Sequence, residues 1–200
     1  MFRNTLLALS LASLSTISPL TADEKTKGTY LFGSIGSAQI TDVEFLNADA
    51  GGTAQFDNGL LGEIGIGYDF GDFRTELTFN STRNELSGST DVDFTAKSYL
   101  ISAAYDFRSD KKLQPYIGLG VGSSNIDFDS YAQVNNTILR AGDDDVTTTI
   151  LKVGLNYEAS DSIDLYGELW GQDFKTFTIG LIEFVDVTAA GASLGIRVKL

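Results

Sequence analysis

The sequence predicts an all-β fold, an eight-stranded antiparallel up-and-down transmembrane β-barrel, on three observations. Apolar side chains alternate with small or polar ones over eight segments of about ten residues, the period of a strand and the length of a tilted membrane strand. The connections between these segments alternate between tight turns and long loops. The charged residues of the segments share the side that carries the glycines, which places them away from lipid. With 21 Gly and 2 Pro in 200 residues, the composition suits glycine-rich strands.

The chain opens Met1-Phe2-Arg3-Asn4, continues through an apolar run from Leu6 to Ile17 and reaches Leu20-Thr21-Ala22 before Asp23-Glu24-Lys25. This is the pattern of a secretory signal peptide over residues 1–22, with Arg3 as the basic end and Ala22 before the cut. The apolar run is too short for the roughly 20 residues a spanning helix needs. Residues 23–200 suit one domain. A formal charge of −13 argues against nucleic acid as a partner. The absence of Cys removes disulfides, thiol catalysis and Cys-type metal sites.

The first segment runs from Gly28 to Gln39; alternation alone leaves open whether Tyr30 and Phe32 or Leu31 and Ile35 face outward. The second, Gly59 to Phe70, sets Ile64, Ile66, Tyr68 and Phe70 against Glu63, Gly65, Gly67 and Asp69. After a two-residue Gly71-Asp72 turn, the third (Phe73 to Ser81) sets Phe73, Leu77 and Phe79 against Arg74, Glu76 and Asn80. Pairing Phe70 with Phe73 brings the apolar faces together and puts Asp69 opposite Arg74, an expected ion pair. The fourth, Lys97 to Phe107, carries Tyr99, Ile101, Tyr105 and Phe107 on its apolar side. The fifth begins at Leu113; Ile117, Leu119 and Val121 alternate with Gly118, Gly120 and Gly122. The sixth, Thr149 to Tyr157, sets Leu151, Val153, Leu155 and Tyr157 against Lys152, Gly154 and Asn156. The seventh, Ile163 to Gln172, sets Ile163, Leu165 and Leu169 against Asp164, Tyr166, Glu168 and Trp170, and Tyr157 paired with Ile163 would put Lys152 opposite Glu168. The eighth sets Leu194, Ile196, Val198 and Leu200 against Ser193, Gly195, Arg197 and Lys199.

Short turns at Gly71-Asp72, Arg108 to Lys112 and Glu158 to Ser162 contrast with long loops at Ile40 to Asn58, Thr82 to Ala96, Ser124 to Thr148 and Asp173 to Thr188. Turns in the periplasm and loops outside are the outer-membrane arrangement. The loops gather acid: Asp42, Glu44, Asp49, Asp57, Glu85, Asp91, Asp93, Asp127, Asp129, Asp143 to Asp145, Asp173, Glu183 and Asp186. Tyr68, Phe70, Phe73, Tyr105, Phe107 and Tyr157 cluster beside the short turns and form an expected aromatic girdle, with Phe79, Tyr99 and Trp170 toward the other rim. The loop after the seventh strand is too apolar for ordinary solvation, with Phe174, Phe177, Ile179, Leu181, Ile182, Phe184 and Val185, and is expected to form a protruding hairpin touching a neighbouring loop such as that of Tyr131.

The motifs Tyr30-Leu31-Phe32-Gly33-Ser34-Ile35-Gly36, Gly67-Tyr68-Asp69-Phe70 and Pro115-Tyr116-Ile117-Gly118-Leu119-Gly120-Val121-Gly122, with the alternating last strand, resemble the OmpA/OmpX-type outer membrane β-barrel family. The resemblance spans Gly28 to Leu200 and implies location in the cell outer membrane of a Gram-negative bacterium, with both termini periplasmic. It favours Leu31, Gly33 and Ile35 toward lipid. It also implies contact with outer membrane lipid and lipopolysaccharide, and with the barrel-assembly machinery during biogenesis, as a monomer. Where the family usually ends in an aromatic residue this sequence ends in Leu200, a departure in the assembly signal. No peptidoglycan-binding domain of the OmpA type is expected after the barrel.

No catalytic, cofactor-binding or metal residues emerge. The chain has no His, which removes Ser-His hydrolysis and His-assisted acyl transfer. Gly118-x-Gly120-x-Gly122 lacks the helix that a phosphate loop needs, and Asp143-Asp144-Asp145 reads as a solvated acidic loop before it reads as a cation site. Glu63, Asp69, Arg74, Glu76, Lys152, Glu168, Arg197 and Lys199 are expected inside the barrel. Ile64, Ile66, Leu77, Ile101, Ile117, Leu119, Val121, Leu151, Val153, Leu155, Leu194, Ile196 and Val198 are expected on lipid. An eight-stranded barrel is only wide enough for its own side chains. The expectation is a non-enzymatic barrel with a paired, plugged lumen and acidic surface loops. A small porin passing ions or solutes is the alternative, and a soluble ligand-binding barrel, which needs an apolar interior, ranks last.

Overall fold

Period-two alternation carries the chain through fourteen strands among the described residues. In chain order they are β1 (Gly28–Ile40), β2 (Val43–Leu46), β3 (Gly51–Ala54), β4 (Gly59–Asp69), β5 (Phe73–Glu85), β6 (Asp93–Asp106), β7 (Leu113–Phe128), β8 (Ala132–Val134), β9 (Thr137–Leu139), β10 (Gly142–Glu158), β11 (Ile163–Phe174), β12 (Phe177–Ile179), β13 (Ile182–Val185) and β14 (Val187–Lys199). The structure is a computed structural model that describes residues 27–41, 43–46, 51–87, 93–107, 112–128, 132–134, 137–139, 142–179, 182–185 and 187–200. The expected signal peptide (residues 1–22), Asp42, Asp49, Asp91, Asp129, Tyr131, Leu181 and Asp186 lie outside the described residues.

Eight strands close into an antiparallel barrel in the order β1-β14-β11-β10-β7-β6-β5-β4. The seam joins β1 to β14 from Tyr30 opposite Lys199 to Ile40 opposite Ala189. Closure removes both edges of this sheet, so each of the eight barrel strands has two partners, as a bilayer core with no water to bond requires. Leu31 and Ile35 are exposed on the outer wall, while Tyr30 and Phe32 are buried inside.

Turn chemistry sets the registers. Phe70 N–H donates to the Phe73 carbonyl at 2.8 Å, and Gly71 takes φ 118°, which side-chain-bearing residues avoid. The register follows: Tyr68 opposite Thr75, Ile66 opposite Leu77 and Asp69 opposite Arg74. The β10–β11 register differs from expectation. Glu158 faces Asp164 and Tyr157 faces Leu165, so Lys152 lies opposite Trp170 and Gly154 opposite Glu168. The turn closes later because the Ile163 carbonyl accepts from both Ala159 and Ser160 amides, and the Ser160 hydroxyl accepts from Ile163 N–H. A slip of two residues preserves every inward and outward assignment.

Four of the strands run well past the apolar wall. β5 continues to Glu85, β6 starts at Asp93, β7 continues to Phe128 and β10 starts at Gly142. Much of the acid expected in loops therefore sits on a protruding rim. Asp127 faces Asp143 directly, and Asn125 donates to Asp143 and Asp145 at 3.2 and 3.1 Å. Strand alternation splits the Asp143–Asp145 run, because the Asp144 carboxylate instead accepts from the Thr178 amide at 2.9 Å. Above the rim, β12-β13-β2-β3 form a small second sheet. The apolar loop after β11 is thus a hairpin paired with the loop between β1 and β4, Phe184 opposite Phe45.

Candidate functional site in the barrel lumen

Inward positions form a stack of chemically distinct layers. Nearest the short turns, Arg74 lies 2.8 Å from Asp106 and 3.7 Å from Glu76, and Arg197 lies 3.8 Å from Glu76. Arg197 also donates to the Asn156 side-chain oxygen at 2.7 Å, and Tyr30 donates to Glu76 at 2.7 Å. A second cluster is built on Lys152, which lies 2.6 Å from Glu63 and 3.4 Å from Glu168. Tyr116 and Ser193 donate to the two oxygens of Glu168 at 2.7 and 3.2 Å. The guanidinium of Arg197 lies 4.3 Å from the centre of the Tyr166 ring, and that of Arg74 lies 4.7 Å from that of Tyr116. Charge-assisted bonds and ring faces together offset part of the cost of burying these ions.

Glycines make room for those rings. A Cβ on Gly67 would come within 2.3 Å of the Tyr30 ring, one on Gly154 within 2.4 Å of Tyr116, and one on Gly195 within 2.3 Å of Tyr166. Each ring lies across bare backbone of a neighbouring strand. The glycine-rich inner face is therefore not empty.

Farther from the turns, Gln172 donates to Ser98 and Thr148 at 2.8 and 3.3 Å and accepts from Asn80 at 3.4 Å, and Ser98 bonds Ser124 at 2.7 Å. Beyond this polar layer the interior becomes apolar. Phe94, Ile126, Phe128, Phe174 and Val187 are buried there, joined by Phe56 and Phe184 from above. Phe184 stacks on Phe128 with centroids 5.4 Å apart, and Phe56 meets Phe94 at 5.5 Å.

Glu63, Asp69, Arg74, Glu76, Lys152, Glu168 and Arg197 are all buried in the lumen. Lys199 is not: it stands half-buried at the turn-side mouth, 3.0 Å from Asp164 and 3.7 Å from Glu158. The expected direct Asp69–Arg74 pair is replaced. Asp69 turns its carboxylate to the Gly71 amide at 2.7 Å, and the longer Arg74 reaches inward to Asp106 and Glu76. Trp170 is buried in the lumen and does not mark the upper rim. Sequence reasoning did not single out Asp106, Asp164, Tyr30, Tyr116 and Tyr166 as partners. Their signal was phase, since each alternates with outward apolar residues. Outside, every large apolar residue expected on lipid is exposed, from Ile64 and Leu77 through Leu119 and Leu155 to Leu194 and Val198. So are Tyr68, Phe70, Phe73, Tyr105, Phe107 and Tyr157, with Tyr68 and Phe70 centroids 4.6 Å apart. Among the described residues no group of three or more His, Cys, Asp or Glu is placed to hold a metal ion.

An apolar outer wall around a charged interior inverts the soluble pattern and defines an integral membrane β-barrel. The chain belongs to the family described as outer membrane protein beta-barrel domain, whose profile matches residues 5–198. A comparison with curated proteins returns no match. Among solved structures, neisserial surface protein A is similar at 18% identity, covering 86% of this chain and 97% of its own, with a TM-score of 0.62. The outer membrane protein AlkL is similar at 18% identity, covering 94% and 98%, with a TM-score of 0.52. The outer membrane protease OmpT from Escherichia coli is similar at 6% identity, covering 90% and 99%, with a TM-score of 0.52. At these identities the likeness is one of fold.

Proposed function

We propose that this protein is a non-catalytic outer membrane barrel whose lumen is plugged by its own side chains and which acts through its extracellular rim and loop sheet. What supports the reading is a ladder of side-chain contacts along the lumen, from the Arg74–Asp106 and Lys152–Glu63 pairs through the Gln172 layer to the Phe128–Phe184 stack. The Arg74, Glu76, Lys152, Glu168 and Arg197 groups are engaged with opposite charges or rings, and Asp69 with the Gly71 amide, which speaks against a group poised for a substrate. The exposed acid of Asp57, Glu85, Asp143, Asp145 and Glu183 gives the extracellular end its sign and disfavours polyanionic partners. The small-porin reading is opposed by the same ladder. The interior far from the turns is apolar after all, so interior polarity alone does not count against a soluble ligand-binding barrel; the apolar outer wall does.

The test combines three measurements on the purified protein. Membrane fractionation and a heat-dependent shift on a detergent gel are expected for the barrel. No discrete channel steps are expected in planar bilayers, and steps at the native sequence would reject the plug while leaving the fold intact.

A further inference from the structure

The asparagines among the described residues differ in what holds their side chains. Asn80, Asn84 and Asn156 are buried; the first donates to Gln172, the second donates to the Ala38 and Asp57 carbonyls, and the third accepts from Arg197. Asn125 stands on the rim with its amide shared between Asp143 and Asp145. Asn58 differs from all of these. It is exposed, and its side chain bonds to no described residue. It also forms, with Gly59, the only Asn-Gly pair in the sequence.

The fold demands that glycine. Gly59 begins β4 opposite Ala38 of β1, and a Cβ on it would fall 1.9 Å from the Arg83 carbonyl oxygen and 2.7 Å from the Asn84 side chain. Only bare backbone fits so close an approach, and a residue without a side chain leaves its own nitrogen unshielded. Asn58 lies outside β4, in the link Asp57-Asn58 that joins the strand to the Phe56–Leu86 bridge. Asp57 is tied down: its amide donates to the Glu85 carbonyl at 2.9 Å and its carboxylate accepts from Ser87 at 2.7 Å. The backbone is thus fixed before and after Asn58, while its carboxamide is left to turn toward the next nitrogen.

We propose that Asn58 is a site of spontaneous covalent modification, converted in the folded protein to aspartate and isoaspartate. The Gly59 nitrogen gives up its proton to water and attacks Asn58 Cγ; the new N–Cγ bond closes a cyclic imide, the bond from Cγ to the carboxamide nitrogen breaks, and that nitrogen takes up a proton and leaves as ammonia. Water then opens the imide. Attack at Cγ yields aspartate, and attack at the main-chain carbonyl yields isoaspartate, whose backbone runs through the former side chain. This chemistry is one reason asparagine counts among the thermolabile residues. Either product sets a new carboxylate beside Asp57, at the end of the barrel away from the short turns. Isoaspartate also lengthens the main chain between β4 and Phe56, whose ring meets Phe94 at 5.5 Å. The inference stands whether or not the lumen conducts.

The test uses the folded full chain in phosphatidylcholine vesicles, warmed at mildly alkaline pH beside a sample kept unfolded in urea. Peptide mapping by mass spectrometry reads the amide-to-acid mass shift at each asparagine, and enzymatic methylation of isoaspartate reads the second product. In the folded chain the shift is expected at Asn58, accompanied by isoaspartate and faster at higher pH, while Asn84 and Asn125 keep their amides. Asn58→Gln, which would have to close a larger ring from the same exposed position, should remove both signals from that peptide. An unchanged mass at Asn58 in the folded chain overturns the proposal; if the unfolded sample converts, the fold is what holds the Gly59 nitrogen away. Equal conversion at Asn58 and Asn125, or isoaspartate that persists in Asn58→Gln, overturns it as well.

Discussion

Lys152 shows what a single inward residue does. It bridges Glu63 and Glu168 from a position that neither solvent nor lipid reaches. Lys152→Met keeps the length of the side chain and removes the charge, leaving two buried carboxylates facing each other. The expected loss is about 3–5 kcal/mol of unfolding free energy in lipid vesicles, with a smaller loss for the double variant Lys152→Met/Glu63→Leu. A denaturant titration in which the single substitution is the milder one would contradict the pairing. Glycines give a second contrast. A Cβ at Gly122 would lie 1.8 Å from the Tyr99 carbonyl, whereas nothing lies within 4 Å of one at Gly171. Gly122→Ala should cost about 1–3 kcal/mol, and Gly171→Ala should stay within about 0.5 kcal/mol. At this scale the sequence revealed sides well and partners poorly. Phase assigns Glu63, Glu168 and Arg197 to the interior, but which carboxylate meets which cation depends on strands far apart in the chain, as Lys152 and Glu63 are. Asp69 and Arg74 show the limit, since adjacency in register did not decide where either side chain points.

Elements were legible in proportion to how tightly their ends were tied. The two-residue Gly71-Asp72 turn allows one register, and β4–β5 has it; the longer turn after Glu158 allows two, and the observed one lies two residues from that expected. The far ends of β7 and β10 were misread as loop because Asp127 and Asp143 to Asp145 break the apolar alternation that marks a membrane strand, although backbone pairing continues above it. Along β10 the wall should show a depth profile. Val153→Arg, near mid-wall, should cost about 2–4 kcal/mol, and Tyr157→Arg, in the girdle, about 0–1 kcal/mol; equal costs would contradict the placement of the band. Asn156→Arg, which a water-filled lumen would tolerate, should be costly too, because Asn156 is fully buried and already accepts from Arg197. The hairpin β12–β13 was legible as an anomaly of composition, and its partner β2 was not, since four-residue strands carry too little pattern to read. Amide exchange in β13 should be slow in the native protein and fast in Phe184→Asp, which puts a charge into the stack on Phe128.

For the molecule as a whole, the proposed plug would be built from different chemistry at separate heights, and that separation has a consequence no single layer has. The aromatic stack of Phe56, Phe94, Phe128 and Phe184 is held by packing, while the Arg74, Lys152 and Arg197 clusters are held by charge. Between them the Gln172 layer ties β5, β6, β10 and β11 across the lumen. An eight-stranded wall fixes the diameter, so the interior cannot widen to let one layer move past another. Breaking one layer should therefore leave the others blocking. Phe184→Asp is expected to free the loop sheet without channel activity, because the ion clusters and the Gln172 layer still span the lumen. Lys152→Met is expected to lower stability without channel activity, because the aromatic stack is untouched. Steps in planar bilayers should be confined to variants that combine Phe184→Asp with replacement of Lys152 and Gln172 by alanine, and even these should be small at such a diameter. A native-sized barrel that conducts after Phe184→Asp alone would show that the inner layers are hydrated and passable, and would reject a plug built in series.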